Sequence, residues 1–447
     1  MTDAVFDVRH NSMTDGVAFI APRRAPRAQG AIAAALGNAL EWYDFTIYAA
    51  LAIYIARDIF PDANETAALI KTFMAFGVGF IARPLGAIVM GGYADRMGRK
   101  PALQLSLLIM AAGTLVLATT PSYAAIGIGA PLLVLAGRLL QGFSAGAEIG
   151  GAATFIVEQA PPSRIGWYSS WLQASTALSM IMSAIMVYTA THYIGLERLE
   201  GGGWRVAFIV GLLIAPLAFW LRLGLSESPQ RSELQAMSHL TTMTRVRAVF
   251  SERPKEMGIA FAMSALWSVS VYVLLIYMPI HAQQAFGFSP AQAAASSVVG
   301  GAVLGISCLA FGALGDRIGL EKVLSSGALT ICLGVVPLMW LLQQNTSFPV
   351  LVGVQALMCV GVGMYSATAP AALVALFPPA LRATGLAISY NSAVVIFGGF
   401  APAVLTILAS SGGSTLAPAF YVAIVAFGTL VAIRRLVRQG GLSHPRR

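Results

Sequence analysis

The sequence predicts an all-α membrane protein with twelve transmembrane helices in two pseudo-symmetric six-helix bundles. Three observations carry that expectation. Of 447 residues, 57% are hydrophobic and 11% charged, with a mean hydropathy of +0.74. No soluble domain of this size leaves so little polar material for its surface. Runs of about 20 mostly apolar residues, the length that crosses a bilayer, recur along the whole chain. One short motif occurs twice, Gly91-Gly92-Tyr93-Ala94-Asp95-Arg96-Met97-Gly98-Arg99-Lys100 and Gly312-Ala313-Leu314-Gly315-Asp316-Arg317-Ile318-Gly319-Leu320-Glu321-Lys322. Pro161-Pro162-Ser163-Arg164-Ile165-Gly166 is echoed by Pro378-Pro379-Ala380-Leu381-Arg382-Ala383-Thr384-Gly385 at nearly the same offset. Such internal repetition implies duplicated halves, the build of a membrane transporter.

In chain order, a polar tail at 1–29 precedes apolar runs at 31–56, 66–93, 101–120, 125–158, 165–193 and 204–224. These form the first bundle, 30–224. The second run ends at the Asp95 motif, and the fifth follows the Pro161-Pro162 echo. The stretch 225–255 is the one break in composition; its mixed charges read as a linker, with room for a short interfacial helix. The second bundle, 256–437, holds runs at 256–280, 291–315, 322–342, 349–376, 382–409 and 417–436, followed by a tail at 438–447. Closed barrels show short alternating segments instead.

Most of the 28 Lys and Arg fall in the N-terminal tail, the loops after even-numbered runs, the central loop and the C-terminal tail. By the positive-inside rule both termini and the central loop are cytoplasmic. The net charge of +9 is therefore a topology signal and implies no nucleic-acid partner. No apolar run at the start is flanked by a cleavage site, so the first helix reads as an uncleaved anchor. Cys308, Cys332 and Cys359 lie inside predicted helices and read as packing residues, not a disulfide or metal set. No HExxH or GxxxxGK[ST] pattern occurs, so neither an enzyme, a resident metal or cofactor nor an ATP-driven pump is indicated.

The two loops resemble the signature of the major facilitator superfamily. Gly37-Asn38-Ala39-Leu40-Glu41-Trp42-Tyr43-Asp44-Phe45, Arg83-Pro84-Leu85-Gly86, the run Gly137 to Glu148 and Phe397-Gly398-Gly399-Phe400 resemble its metabolite–proton symporter family. Leu139 to Gly146, Gly363-Met364-Tyr365 and Ile396 to Ala403 look closest to citrate and tricarballylate carriers. The resemblance implies a major facilitator fold in the inner membrane that usually works as a monomer. It implies a small organic anion and protons as partners, and a conformational gate at Asp95, Arg96, Arg99, Asp316 and Arg317. Leu320 and Glu321 replace the basic pair of the first copy, so the second latch is expected to be the weaker.

The residues themselves single out five charges deep in predicted helices: Glu41, Asp44, Arg83, Arg138 and Glu148. Each costs on the order of 2.5–3.5 kcal/mol against lipid, so each should face a cavity or a partner. Arg83, twelve residues before Asp95, sits about 18 Å along the second helix, near mid-membrane. A guanidinium offers a planar fork for a carboxylate; either Arg83 and Arg138 bind an anion or they hold helices together. Glu41 and Asp44, three apart, share a face with Gly37 and Tyr48. Two close carboxylates cannot both ionise cheaply, which makes Asp44, Glu41 and Glu148 candidate proton carriers; the alternative is structural pairing. Asn38, Tyr48, Tyr365 and Asn391 are candidate substrate contacts, with Tyr272, Tyr277, Gln355 and Tyr390 as further cavity residues. Gly142, Gly146 and Gly150 form a small-residue packing stripe, and Lys71 is a snorkelling or anion-attracting residue near the outer mouth. The expected function is import of a di- or tricarboxylate with protons. A zwitterionic osmolyte, a shikimate-like monoacid, export, sodium coupling and a non-transporting sensor remain the alternatives.

Overall fold

The computed structural model describes residues 28–97, 99–146, 152–154, 156–157, 160–223, 242–378, 381–410 and 414–438. They are helical throughout, with no strand among them. The first six long helices are α1 (Ala28–Ala50, continued past Leu51 by Ala52–Ile59), α2 (Glu65–Met97), α3 (Arg99–Thr119), α4 (Gly129–Ala145), α5 (Ile165–Thr189) and α6 (Arg205–Leu223). After a short helix at Thr242–Glu252 comes α7, which runs from Pro254–Val269 through a π-helical stretch Ser270–Tyr277 into Met278–Phe286. Then follow α8 (Pro290–Ile318), α9 (Leu320–Gln344) and α10 (Phe348–Ala375). The last two are α11 (Arg382–Ala393, π-helical Val394–Gly399, Ala401–Ser410) and α12 (Ala417–Arg438). Nine of the described helices are long and apolar enough to cross a membrane; α1, α4 and α6 supply the remaining predicted runs.

Local chemistry sets the helix ends. Ser289 and Gln292 close a reciprocal capping box at the start of α8, with Pro290 in the first turn where its missing N–H costs nothing. Gly319, at φ 105°, makes the one-residue break between α8 and α9, a conformation closed to other L residues without strain. The π-helical stretch of α7 loosens the regular i→i−4 ladder, and Gln355 of α10 donates to the Leu274 carbonyl there at 3.0 Å.

On the face opposite the Asp316 loop, the described ion pairs all join elements of the first half. Arg57 pairs with Glu65 and Glu200, and Arg205 donates to Asp58 at 2.8 Å and to the Thr120 carbonyl at 2.6 Å. Lys71 pairs with Asp62 at 2.6 Å, so it is an ion-pair partner on this face. The Asn64 N–H and then Lys71 hold the Asp62 carboxyl below the usual carboxylate range. That acid's help to the loop is present at neutral pH and fades as acid protonates it. A narrow crevice, partly open to solvent, lies between the halves on this face, with Thr46, Ser183, Leu275, Gln283 and Ser297 among its walls.

Candidate functional site

Two glycine seams decide what meets at the centre. A Cβ on Gly142 of α4 would fall 1.6 Å from the Gly79 carbonyl oxygen of α2, and one on Gly146 would fall 2.0 Å from that of Arg83. In return, a Cβ on Gly79 would meet the Arg138 carbonyl at 2.7 Å. The α2 and α4 backbones therefore touch, as small-residue seams permit, and this carries Arg83 and Arg138 into one neighbourhood. The expected stripe is confirmed at Gly142 and Gly146; Gly150 lies outside the described residues. On the other side of the site, a Cβ on Gly398 or Gly399 would strike the rings of Tyr272 and Phe80. The Phe397-Gly398-Gly399-Phe400 run thus lets α11 press against α2 and α7.

Arg83 and Arg138 are 2% and 0% exposed, and that burial makes their partners decisive. Both guanidinium carbons lie over the Phe45 ring, at 4.8 and 4.9 Å from its centroid. Their separation therefore cannot exceed the sum of those distances, within reach of one small polyanion. Arg83 also lies over Phe80, and Arg138 over Tyr48 and Phe76. These cation–π contacts steady the charges without neutralising them. Nη1 of Arg138 donates to Gln141 Oε1 at 2.7 Å. Its Nε and Nη2 have no hydrogen-bond partner among the described residues, nor does Nε of Arg83. Nε–H and Nη2–H point in parallel from one edge of the guanidinium, the edge that grips a carboxylate bidentately.

Asp44 joins this site at one remove. Thr114 of α3 donates to Asp44 Oδ2, and Gln141 Nε2 donates to Thr114 Oγ1 at 3.0 Å. Asp44 and Arg138 are thus linked through two neutral side chains. From the second half, Tyr390 lies beside Arg83 and packs on Trp267, whose indole donates to Gln173 of α5 at 2.9 Å. Tyr272 stands among Trp42, Phe76 and Phe80, and its hydroxyl has no hydrogen-bond partner among the described residues.

The predicted residues separate into groups. Arg83, Arg138, Asp44 and Tyr48 converge; the Tyr48 ring faces Arg138 while its hydroxyl donates to the Thr72 carbonyl. Glu41 is buried one turn before Asp44. Asn391 spends its NH2 on the Gly146 carbonyl of α4 at 3.0 Å, a bond between halves, and keeps a partnerless Oδ1 among the described residues. Asn38 is drawn elsewhere: its amide donates to the Leu172 carbonyl, Ser175 and Thr176, tying α1 to α5. Tyr365 likewise donates to the Met263 carbonyl and braces α10 on α7. Tyr277 lies against Phe73 and His281, away from the arginines. Cys308 and Cys359 are buried, and all three cysteines are unbridged. Glu148 lies outside the described residues, as do the side chains of Asp95, Arg96 and Arg99.

The second gate loop is fully visible at its acid. Asp316 accepts from the backbone N–H groups of Gly166 at 2.6 Å and Trp167 at 2.9 Å, capping the first turn of α5 across the halves. Arg317 beside it is exposed. Both of these bonds come from main-chain donors, and Leu320 and Glu321, in place of the basic pair, take no part in them. Gly166 and Gly312 allow the approach, since a Cβ on either would meet the other's carbonyl oxygen below 3 Å.

Sequence reasoning missed Thr114, Gln141, Phe45, Phe76 and Phe80. Gln141 was findable, one helical turn after Arg138; so were Phe76 and Phe80, which share a helical face with Arg83. Thr114 carries no local signal.

With this geometry established, residues 34–345 match the Major Facilitator Superfamily. The chain is 34% identical over 436 residues to a citrate-proton symporter of Klebsiella pneumoniae, covering 97% of both chains. It is 35% identical over 407 residues to a citrate-proton symporter of Salmonella typhi, covering 90% of this chain and 92% of that one. A putative proline/betaine transporter of Staphylococcus aureus (strain COL) is 34% identical over 407 residues, with 90% and 86% covered. Among solved structures, the proton:xylose symporter XylE bound to 6-bromo-6-deoxy-D-glucose superposes with a TM-score of 0.74 at 17% identity, covering 92% and 95%. The human organic anion transporter MFSD10 gives 0.66 at 16% identity, covering 92% and 100%. At such identities the structural likeness speaks for the fold alone. The sequence match and the two-sided arrangement of helices agree: this chain is a multi-pass membrane transporter, not an enzyme, and it belongs to the Major Facilitator Superfamily.

Proposed function

We propose that this protein imports a di- or tricarboxylate such as citrate together with protons, by alternating access between the halves 30–224 and 256–437. The observation that carries the reading is the buried, partnerless Nε–Nη2 edge of Arg138 beside Arg83. Two fixed cations, Arg138 with an open two-donor edge and Arg83 with a free Nε–H, suit a multiply charged carboxylate. The names of the Klebsiella and Salmonella relatives support the same substrate class. In this reading Arg138 and Arg83 hold carboxylates, with Tyr272, Tyr390 and Asn391 facing them from the second half. Asp44 is the proton carrier, with Glu41 beside it and Glu148 as a third candidate acid. The termini and the Asp95 and Asp316 loops face the cytoplasm, the protein acts as a monomer in the inner membrane, and the Asp316 cap closes the inner face. The opposite crevice is then the way in from outside.

A zwitterionic osmolyte is the second reading, favoured by the staphylococcal relative and by the many rings at the centre. Four of these rings, Phe45, Tyr48, Phe76 and Phe80, are already covered by the two guanidinium groups, whose positive charge there favours the anion.

Uptake of labelled citrate into proteoliposomes tests the reading, with an inward proton gradient and no sodium. Uptake should collapse with a protonophore, and Arg138→Ala should lower it at least a hundredfold while the protein still inserts. Uptake of betaine instead of citrate would remove the anion reading and keep the fold.

A further inference from the structure

Thr114 is where the proton site and the anion site meet. A guanidinium only donates, so Gln141 must turn Oε1 toward Arg138 and Nε2 toward Thr114. The Thr114 hydroxyl then accepts from Gln141 with one lone pair, keeping its own proton and a second lone pair. That proton has two acceptors within reach, the Asp44 carboxylate and the Met110 carbonyl at 3.1 Å. When Asp44 is ionised, Thr114 donates to it. When Asp44 is protonated, its O–H donates into the second lone pair, and the Thr114 proton swings to Met110. The Thr114 proton has an acceptor in both states, and no heavy atom has to move.

We propose that Thr114 is a hydrogen-bond inverter that lets Asp44 take up and release its proton while Gln141 keeps the open edge of Arg138 aimed at the substrate. Both are positioning residues; neither carries the proton away or is consumed. The inference rests on Asp44 as proton carrier in the reading above. The groups facing Asp44 are few. Arg138 comes from α4, Tyr43 and Glu41 lie on α1 itself, and Tyr43 spends its hydroxyl on the Ala207 carbonyl of α6. Gly211 of α6 presents only backbone, and from α3 the neighbour is Thr114. Tyr48, Tyr272 and Arg83 act on Arg138 beyond.

The test is an infrared pH titration of the full-length protein in lipid, following the C=O stretch of protonated Asp44, identified by its loss in Asp44→Asn. Thr114→Val keeps the shape but removes the donor to the ionised acid. Its titration midpoint should rise by about half a pH unit or more, because the bond Thr114 makes to the ionised acid is about twice as strong as the one it accepts from the protonated acid. Thr114→Ser should restore the wild-type midpoint. A wild-type midpoint in Thr114→Val, or equal shifts in the Val and Ser variants, would overturn the inverter. If no band is lost in Asp44→Asn at any pH, the proton-carrier reading falls and the inverter with it. A shifted Thr114→Val midpoint in a protein that takes up no citrate leaves the inverter standing and removes only the substrate.

Discussion

At the residue scale, intramembrane charge was the legible signal. Arg83, Arg138 and Asp44 stood out because an unpartnered charge in hydrocarbon is too costly to be idle. Neutral polar residues gave no such warning. Asn38 and Tyr365 look like cavity lining in sequence, yet their donors go to neighbouring helices. Thr114 reads as a residue that bonds its own preceding turn, which it also does. Charge alone is not what Arg83 supplies: it stacks on Phe45 and Phe80 and reaches Tyr390. Lysine keeps the charge but loses the planar fork. Arg83→Lys is expected to raise the citrate KM at least tenfold while insertion is unchanged, measured by initial uptake rates across citrate concentrations.

At the element scale, hydropathy marked the apolar runs, because run length reports bilayer thickness directly. It could not mark the π-helical stretches of α7 and α11, since a change of hydrogen-bond register leaves composition untouched. The glycine stripe of α4 was readable as packing, but its partner was not: only the fold shows Gly79 and Arg83 of α2 against it. Gly142→Ala would push its methyl into the Gly79 carbonyl, an overpacking cost of about 1–3 kcal/mol or more. The melting temperature in detergent should fall by several degrees and uptake should be lost. Gly91→Ala, with open space around it, should change neither.

At the scale of the whole molecule, the repeated motif revealed two halves but not what closes them. The Asp316 carboxylate binds main-chain N–H groups of the other half, which no side-chain pattern in the sequence displays. Asp316→Asn keeps the size and loses the charge that makes such bonds about twice as strong as neutral ones. A cysteine placed at buried Ser169, which donates across the halves to the Ala367 carbonyl, reports the opening of that face. Its labelling by an impermeant maleimide from that side should quicken about tenfold in Asp316→Asn, for a loss near 1.4 kcal/mol. An unchanged rate would remove Asp316 from the gate.

The ion pairs on the face away from Asp316 and the contact Asp316 makes differ in what they join. Arg57, Asp62, Lys71, Asp58 and Arg205 find their described partners within the first half, so none of these pairs breaks when the halves part on that face. The opposite face is joined by a carboxylate across the seam. Ionic strength screens exposed charges and reaches partly buried ones much less, so dissolved salt loosens pairs that lie within one half and leaves the partly buried contact across the seam largely as it is.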